Sequence, residues 1–150
     1  MSNEPLMITQ QQRQAAFDLG GLFITTLAST EQTAGQEIFH QYGQEGAGSG
    51  LHFHPWDESF FVIAGEVSCG IDGVDTVVGP GSFVHIPGGS THWYRFGPGG
   101  GELVSMTSKG NASAMYETFA REGSWVSPDR AKLVELSARH GQTVVTPPTD

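Results

Sequence analysis

The chain is predicted to fold as an all-β domain followed by short C-terminal helices. Three observations lead there. Short runs rich in β-branched and aromatic residues, such as 19–30, 59–67 and 91–97, succeed one another as far as residue 109. The 150 residues include 21 glycines, about double the usual ~7%, as many tight turns between short strands require. From residue 112 onward the apolar spacing becomes helical, with Met115 and Phe119 on one side.

The elements follow in order. Residues 1–14 are polar, with room for a short helix in the glutamine-rich part, and residues 19–30 read as a strand. Over 36–44 alternation puts Ile38, His40 and Tyr42 on one face, and His40 is taken as a pocket residue if its register carries to the interior. Residues 45–50 read as a flexible, glycine-rich lead. The run 59–79 contains two strands folded at Asp72-Gly73, a dipeptide favoured in two-residue hairpins. Residues 81–87 and 91–97 are strands joined by the turn signal Pro87-Gly88-Gly89, and 101–109 is the last strand. A helix is predicted over 112–126. A second starts at Ser127-Pro128-Asp129, with Ser127 as N-cap, and runs to His140 before Gly141. The tail from Thr143, ending in two prolines and Thr-Asp, is expected to be a surface strap or a subunit contact.

Charge narrows the partners. Only 15% of residues are charged and the net charge is −9. No lysine or arginine lies between Arg13 and Arg95, a stretch that holds nine acids. Phosphate contacts need clustered basic side chains, so nucleic acid is excluded as a partner. A strongly anionic substrate is disfavoured unless a metal or Arg95 supplies the countercharge. The single Cys69 permits no internal disulfide and no zinc-knuckle spacing. The amino terminus lacks a basic-then-apolar leader, and no stretch approaches the ~18 apolar residues of a membrane span. No membrane partner and a cytoplasmic location are expected.

The chemistry-bearing residues are His52, His54, Glu58 and His92. Strand side chains alternate faces, so His52 and His54 point the same way, roughly 6–7 Å apart, close enough to converge on one ion. Pro55 marks a break, Glu58 opens the next strand, and His92 arrives after the Pro87-Gly88-Gly89 turn. Three imidazoles and a carboxylate make a mixed nitrogen and oxygen donor set. It suits one divalent ion, iron, manganese, nickel, cobalt or zinc, and lacks the thiolates of structural zinc. Phe60 shares the parity of Glu58, while Tyr94 and Phe96 share that of His92; with Trp56 and His40 they are the expected pocket residues. Such a pocket suits a small-molecule, largely apolar or aromatic substrate with oxygens that chelate the metal.

These segments resemble the two motifs of the cupins. Gly46, His52, His54, Glu58 and Gly65 match the first, and Gly81, Pro87, Gly89 and His92 the second. Phe96 stands where the family pattern has asparagine. The resemblance implies a double-stranded β-helix, the cupin jelly-roll barrel, over about residues 35–108. Residues 1–34 would then be an arm and leading strand and 109–150 a helical extension, all within one structural domain. The stretch from Thr107 to Gly123 and the later His140-Gly141 resemble the quercetinase-like cupins. That likeness implies a metal-dependent dioxygenase cleaving a flavonol-like or other enolisable aromatic compound with O2. Glu58 would be a ligand and also the catalytic base. Cupins also include redox-neutral isomerases, cyclases and lyases, and non-catalytic binders, which remain the alternatives. A homodimer is expected.

Overall fold

Alternating burial along short strands builds two antiparallel sheets that enclose an apolar interior. The computed structural model describes residues 4–108, 110–123 and 129–145. A single 3-10 turn at Gln10–Gln12 precedes β1 (Phe17–Asp18), β2 (Leu22–Ala28), α1 (Thr30–Thr33), β3 (Gln36–Gly43) and β4 (Gly48–Phe53). Next come β5 (Glu58–Ala64), β6 (Val67–Ile71), β7 (Val74–Val78), β8 (Phe83–Ile86), β9 (His92–Phe96) and β10 (Gly101–Ser108). Helices α2 (Ala112–Glu122) and α3 (Arg130–Arg139) and the short β11 (Thr143–Val144) end the chain. One sheet has the order β1-β2-β3-β10-β5-β8 and the other β11-β4-β9-β6-β7. This is the architecture of a jelly-roll barrel. Phe39, Val62, Val67, Phe96 and Leu103 fill its centre.

Several sequence expectations are met and some are displaced. Asp72 and Gly73 both have positive φ, 49° and 84°, as a type I′ turn between β6 and β7 needs. Cys69 is a buried strand residue. Ile38, His40 and Tyr42 do share a face of β3, but it is the outer one. Glu37, Phe39 and Gln41 point inward. Strand parity separates two faces without saying which is the core, and the fully buried Phe39 decides it. Gly48 to Gly50, expected in a flexible lead, belong to β4.

The C-terminal extension is fastened to the barrel at two points. Thr143 and Val144 pair with Phe53 and His52, so this part of the tail is an edge strand of the fold. The Glu37 carboxylate, fully buried, accepts hydrogen bonds from the first backbone N–H groups of α2, Ala112 at 3.1 Å and Ser113 at 2.8 Å. It also accepts from Thr107 Oγ1 at 3.2 Å. A carboxylate there satisfies orphan donors and sits at the positive end of the helix dipole. Helix α3 is capped by Asp129, which accepts from Lys132 N. The expected cap Ser127, Pro128, the end of the 112–126 helix and the prolines of the tail lie outside the described residues. Among the described residues no helix is long and apolar enough to cross a membrane.

Candidate metal centre

Both sheets contribute to the four-residue cluster. His52 lies on β4 directly opposite His92 at the start of β9, and His54 follows just beyond the end of β4. Glu58 is the first residue of β5 in the facing sheet. All four residues are buried, and one ligand atom from each lies within 4.8 Å of the others. The Pro55 bend and the Pro87–Gly89 turn are pressed together to achieve this. Gly89 N donates to His54 O at 2.8 Å, and a Cβ on Gly88 would stand 2.3 Å from Pro55 O. Gly88→Ala is therefore expected to force the two segments apart at a cost of about 1–3 kcal/mol. Gly79→Ala, where a Cβ meets nothing within 4 Å, should be tolerated. Thermal unfolding of the two variants side by side checks this, and equal midpoints would contradict it.

Each imidazole is held by its rear nitrogen. His52 Nδ1 bonds Gly50 O at 2.7 Å, His54 Nδ1 bonds Trp56 O at 2.9 Å and His92 Nδ1 bonds Ser90 O at 2.8 Å. A carbonyl only accepts, so each Nδ1 carries the hydrogen and each neutral ring presents its Nε2 lone pair. Trp56 stacks on the His54 ring at 4.4 Å and 6°, fixing its plane. The Nε2 atoms of His54 and His92 stand 3.0 and 3.2 Å from Glu58 Oε2. Lone pairs facing a carboxylate oxygen repel unless a proton or a cation lies between them. A divalent ion would satisfy all four donors together, so the residues present fit a metal.

The electrostatics of His52 and Glu58 agree with that view. Burial, helped by the nearby His92, lowers His52 to about 4. For Glu58 burial acts upward, but the contacts with His54 and His92 outweigh it and hold the carboxyl below the ordinary range. For His92 burial acts downward, yet the Glu58 carboxylate raises the ring above its ordinary value. Glu58 is thus anionic at neutral pH and His52 neutral, the protonation states that metal ligation requires.

A cavity of about 150 Å³ opens onto His52 and Glu58. The barrel supplies one side, through Leu22, Ile24 and Tyr94, and the C-terminal helices the other, through Met115, Tyr116 and Phe119. Of the five residues expected in the pocket, Tyr94 lines this space. Its hydroxyl donates to Gln41 Oε1, and Gln41 Nε2 donates to Ser105 Oγ at 2.7 Å. Trp56 backs His54, Phe60 lies in the core beside Tyr94, and Phe96 packs edge-on to Tyr94 away from the cavity. His40 is corrected to the outer face, where its Nε2 is 3.5 Å from Glu102. Met115, Tyr116, Phe119 and Arg130 line the cavity but were not expected to. Their helical spacing was legible, and their position over the barrel mouth was not.

Residues 39–104 match the family model described as a cupin domain. The matched stretch runs from β3 into β10. A search of curated proteins finds no match. Among solved structures, an RmlC-like cupin from Shewanella frigidimarina is similar at 22% identity and a TM-score of 0.66, covering 76% of this chain and 99% of that one. KdgF from a Halomonas species is similar at 15% identity and a TM-score of 0.64, with 71% and 94% covered. The polyketide cyclase RemF from Streptomyces resistomycificus is similar at 19% identity and a TM-score of 0.60, with 71% and 80% covered. At these identities the likeness is one of fold.

Proposed function

We propose that this chain is a cupin and a divalent-metal-dependent enzyme acting on a small, largely apolar molecule that offers an oxygen to the metal. The observation that carries the reading is the set of three imidazoles, each anchored through Nδ1, converging with Glu58. When bound, the metal would act as a Lewis acid on the substrate oxygen. His52, His54 and His92 would hold it. Glu58 lines the cavity, so it is placed to ligate and also to take a proton from the substrate.

Redox-neutral proton transfer, as in isomerisation, elimination or cyclisation, is the reaction class we favour. Tyr94 and Tyr116 add two phenols to the lining of the same cavity, one from each side. Burial first, then the Glu58 charge, raises both above the ordinary tyrosine value, so they stay neutral and able to hydrogen-bond. A base and neutral phenols around one small space suit proton movement without an oxidant. The cavity's 150 Å³ is about what a benzene-sized guest fills, and below the ~300–1,000 Å³ typical of drug-sized ligands. This supports a one-ring or short-chain substrate over a three-ring flavonol. Dioxygenation keeps one point in its favour, a thiolate-free donor set that suits iron or manganese.

Metal content by mass spectrometry, followed by turnover of one-ring and short-chain enolisable compounds with and without oxygen, tests the proposal. Near one metal per chain and equal rates in both atmospheres are expected. Oxygen uptake matching turnover would move the assignment to a dioxygenase, and a site that takes up no metal would end it.

A further inference from the structure

Among the described residues the barrel supplies no lysine or arginine to the cavity. Among the described residues that line it, Arg130 at the start of α3 is the only lysine or arginine. It is also unlike its neighbours on the two helices. Arg121, Lys132 and Arg139 each pair with Glu122 or Glu135, whereas Arg130 makes no ion pair among the described residues. Its Nη2 donates to Val145 O at 3.1 Å. A guanidinium presents five N–H donors in a rigid fork, and among the described residues most of that fork has no partner. Leu133 and Val144 give the same cavity apolar lining, and His52 and Glu58 line it as well. Ser49, which lines the same space, has a buried Oγ without a hydrogen-bond partner among the described residues. In a chain of net charge −9, an arginine without an ion pair among the described residues, at the edge of an apolar cavity, is a specific opportunity for an anion.

We propose that Arg130 recognises a carboxylate on the substrate, which makes the substrate class a small monocarboxylic acid with an apolar body. The planar carboxylate matches the planar fork of arginine. A dianionic phosphate would need more donors than one arginine and would meet the repulsion of the acidic chain. The orientation, with the carboxylate at Arg130 and the rest of the molecule directed toward the metal, rests on the metal-site reading. The contact with Arg130 itself does not.

The test compares acids with their neutral amides. Acetate, butyrate and benzoate, each beside its amide, are titrated by calorimetry into wild type, Arg130→Gln and His54→Ala, with metal content measured on each preparation. Glutamine keeps a donor for Val145 O, so folding should be preserved, and an unchanged melting temperature verifies this. In wild type at least one acid should bind tenfold or more tightly than its amide. In Arg130→Gln that preference should vanish, with amide affinity and metal content unchanged. Three results would overturn the proposal: no acid binds, acids bind no better than amides, or the preference survives in Arg130→Gln. A preference that survives there but is lost in His54→Ala would mean that the acid binds the metal directly, leaving the metal reading intact. An Arg130-dependent preference in wild-type protein that takes up no metal would sink the metal reading and leave this one standing.

Discussion

His54→Ala is expected to abolish stoichiometric metal binding, while His85→Ala leaves it at the wild-type level. His54 offers Nε2 to the centre, is tied through Nδ1 to Trp56 O, and is flanked by the Trp56 indole. Removing a partner that merely orients a ligand typically weakens metal binding about 10–100-fold, so losing the ligand itself should cost more. It would also leave the buried Glu58 with one fewer partner. His85 has the same chemistry in the wrong place. It is exposed on β8 and shares a 2.8 Å hydrogen bond with Ser59 Oγ. Metal per chain after dialysis against a graded chelator separates the variants. Equal loss from both would mean that these four residues are not the ligands.

The second large effect should come from Glu37, a residue that touches neither the metal cluster nor the cavity. Glu37→Gln keeps the size of the side chain but turns one acceptor into an N–H₂ donor facing the amide groups of Ala112 and Ser113. Hydrogen bonds to a buried charge are each worth about 1.5–3 kcal/mol, and an orphaned buried donor costs about 1–3 kcal/mol. A loss of roughly 2–4 kcal/mol is expected, which for a chain of this size lowers the melting temperature by about 5–15 °C. The start of α2 should also loosen, and with it the wall made by Met115, Tyr116 and Phe119. Amide hydrogen exchange should quicken in α2 well before it does in β3 or β10. A variant that melts like wild type, with α2 equally protected, would show that Glu37 does not hold the helix.

The contrast between these two positions shows which features a reader of the sequence can recover. The cluster of His52, His54, Glu58 and His92 was legible because much of its geometry is local. Alternation puts His52 and His54 on one side, Pro55 breaks the strand, and a proline-glycine turn precedes His92. The Asp72-Gly73 turn was legible for the same reason, since its two positive φ values are a property of the dipeptide. His40 was misplaced because alternation yields two faces and no sign. Phe60 and Phe96 were read as interior by parity and are buried. Trp56, expected in the pocket although Pro55 left its direction open, is buried too. Parity does not say how far along the barrel axis a side chain lies, and only Tyr94 among the aromatics expected there reaches the cavity.

What local chemistry determined, then, is the succession of strands, their turns and the four donors, because strand period, backbone dihedral preference and ligand type act over a few residues. The barrel itself followed only from the motif resemblance. Tertiary structure alone decided what those donors face. Glu37 reaches from β3 to the start of α2, and Thr143 and Val144 pair back onto β4. These contacts join residues 75 or more positions apart, and no periodicity in the chain encodes such a separation. They carry Tyr116 and Arg130 over the barrel mouth and so set the size, polarity and charge of the space in which any reaction would occur.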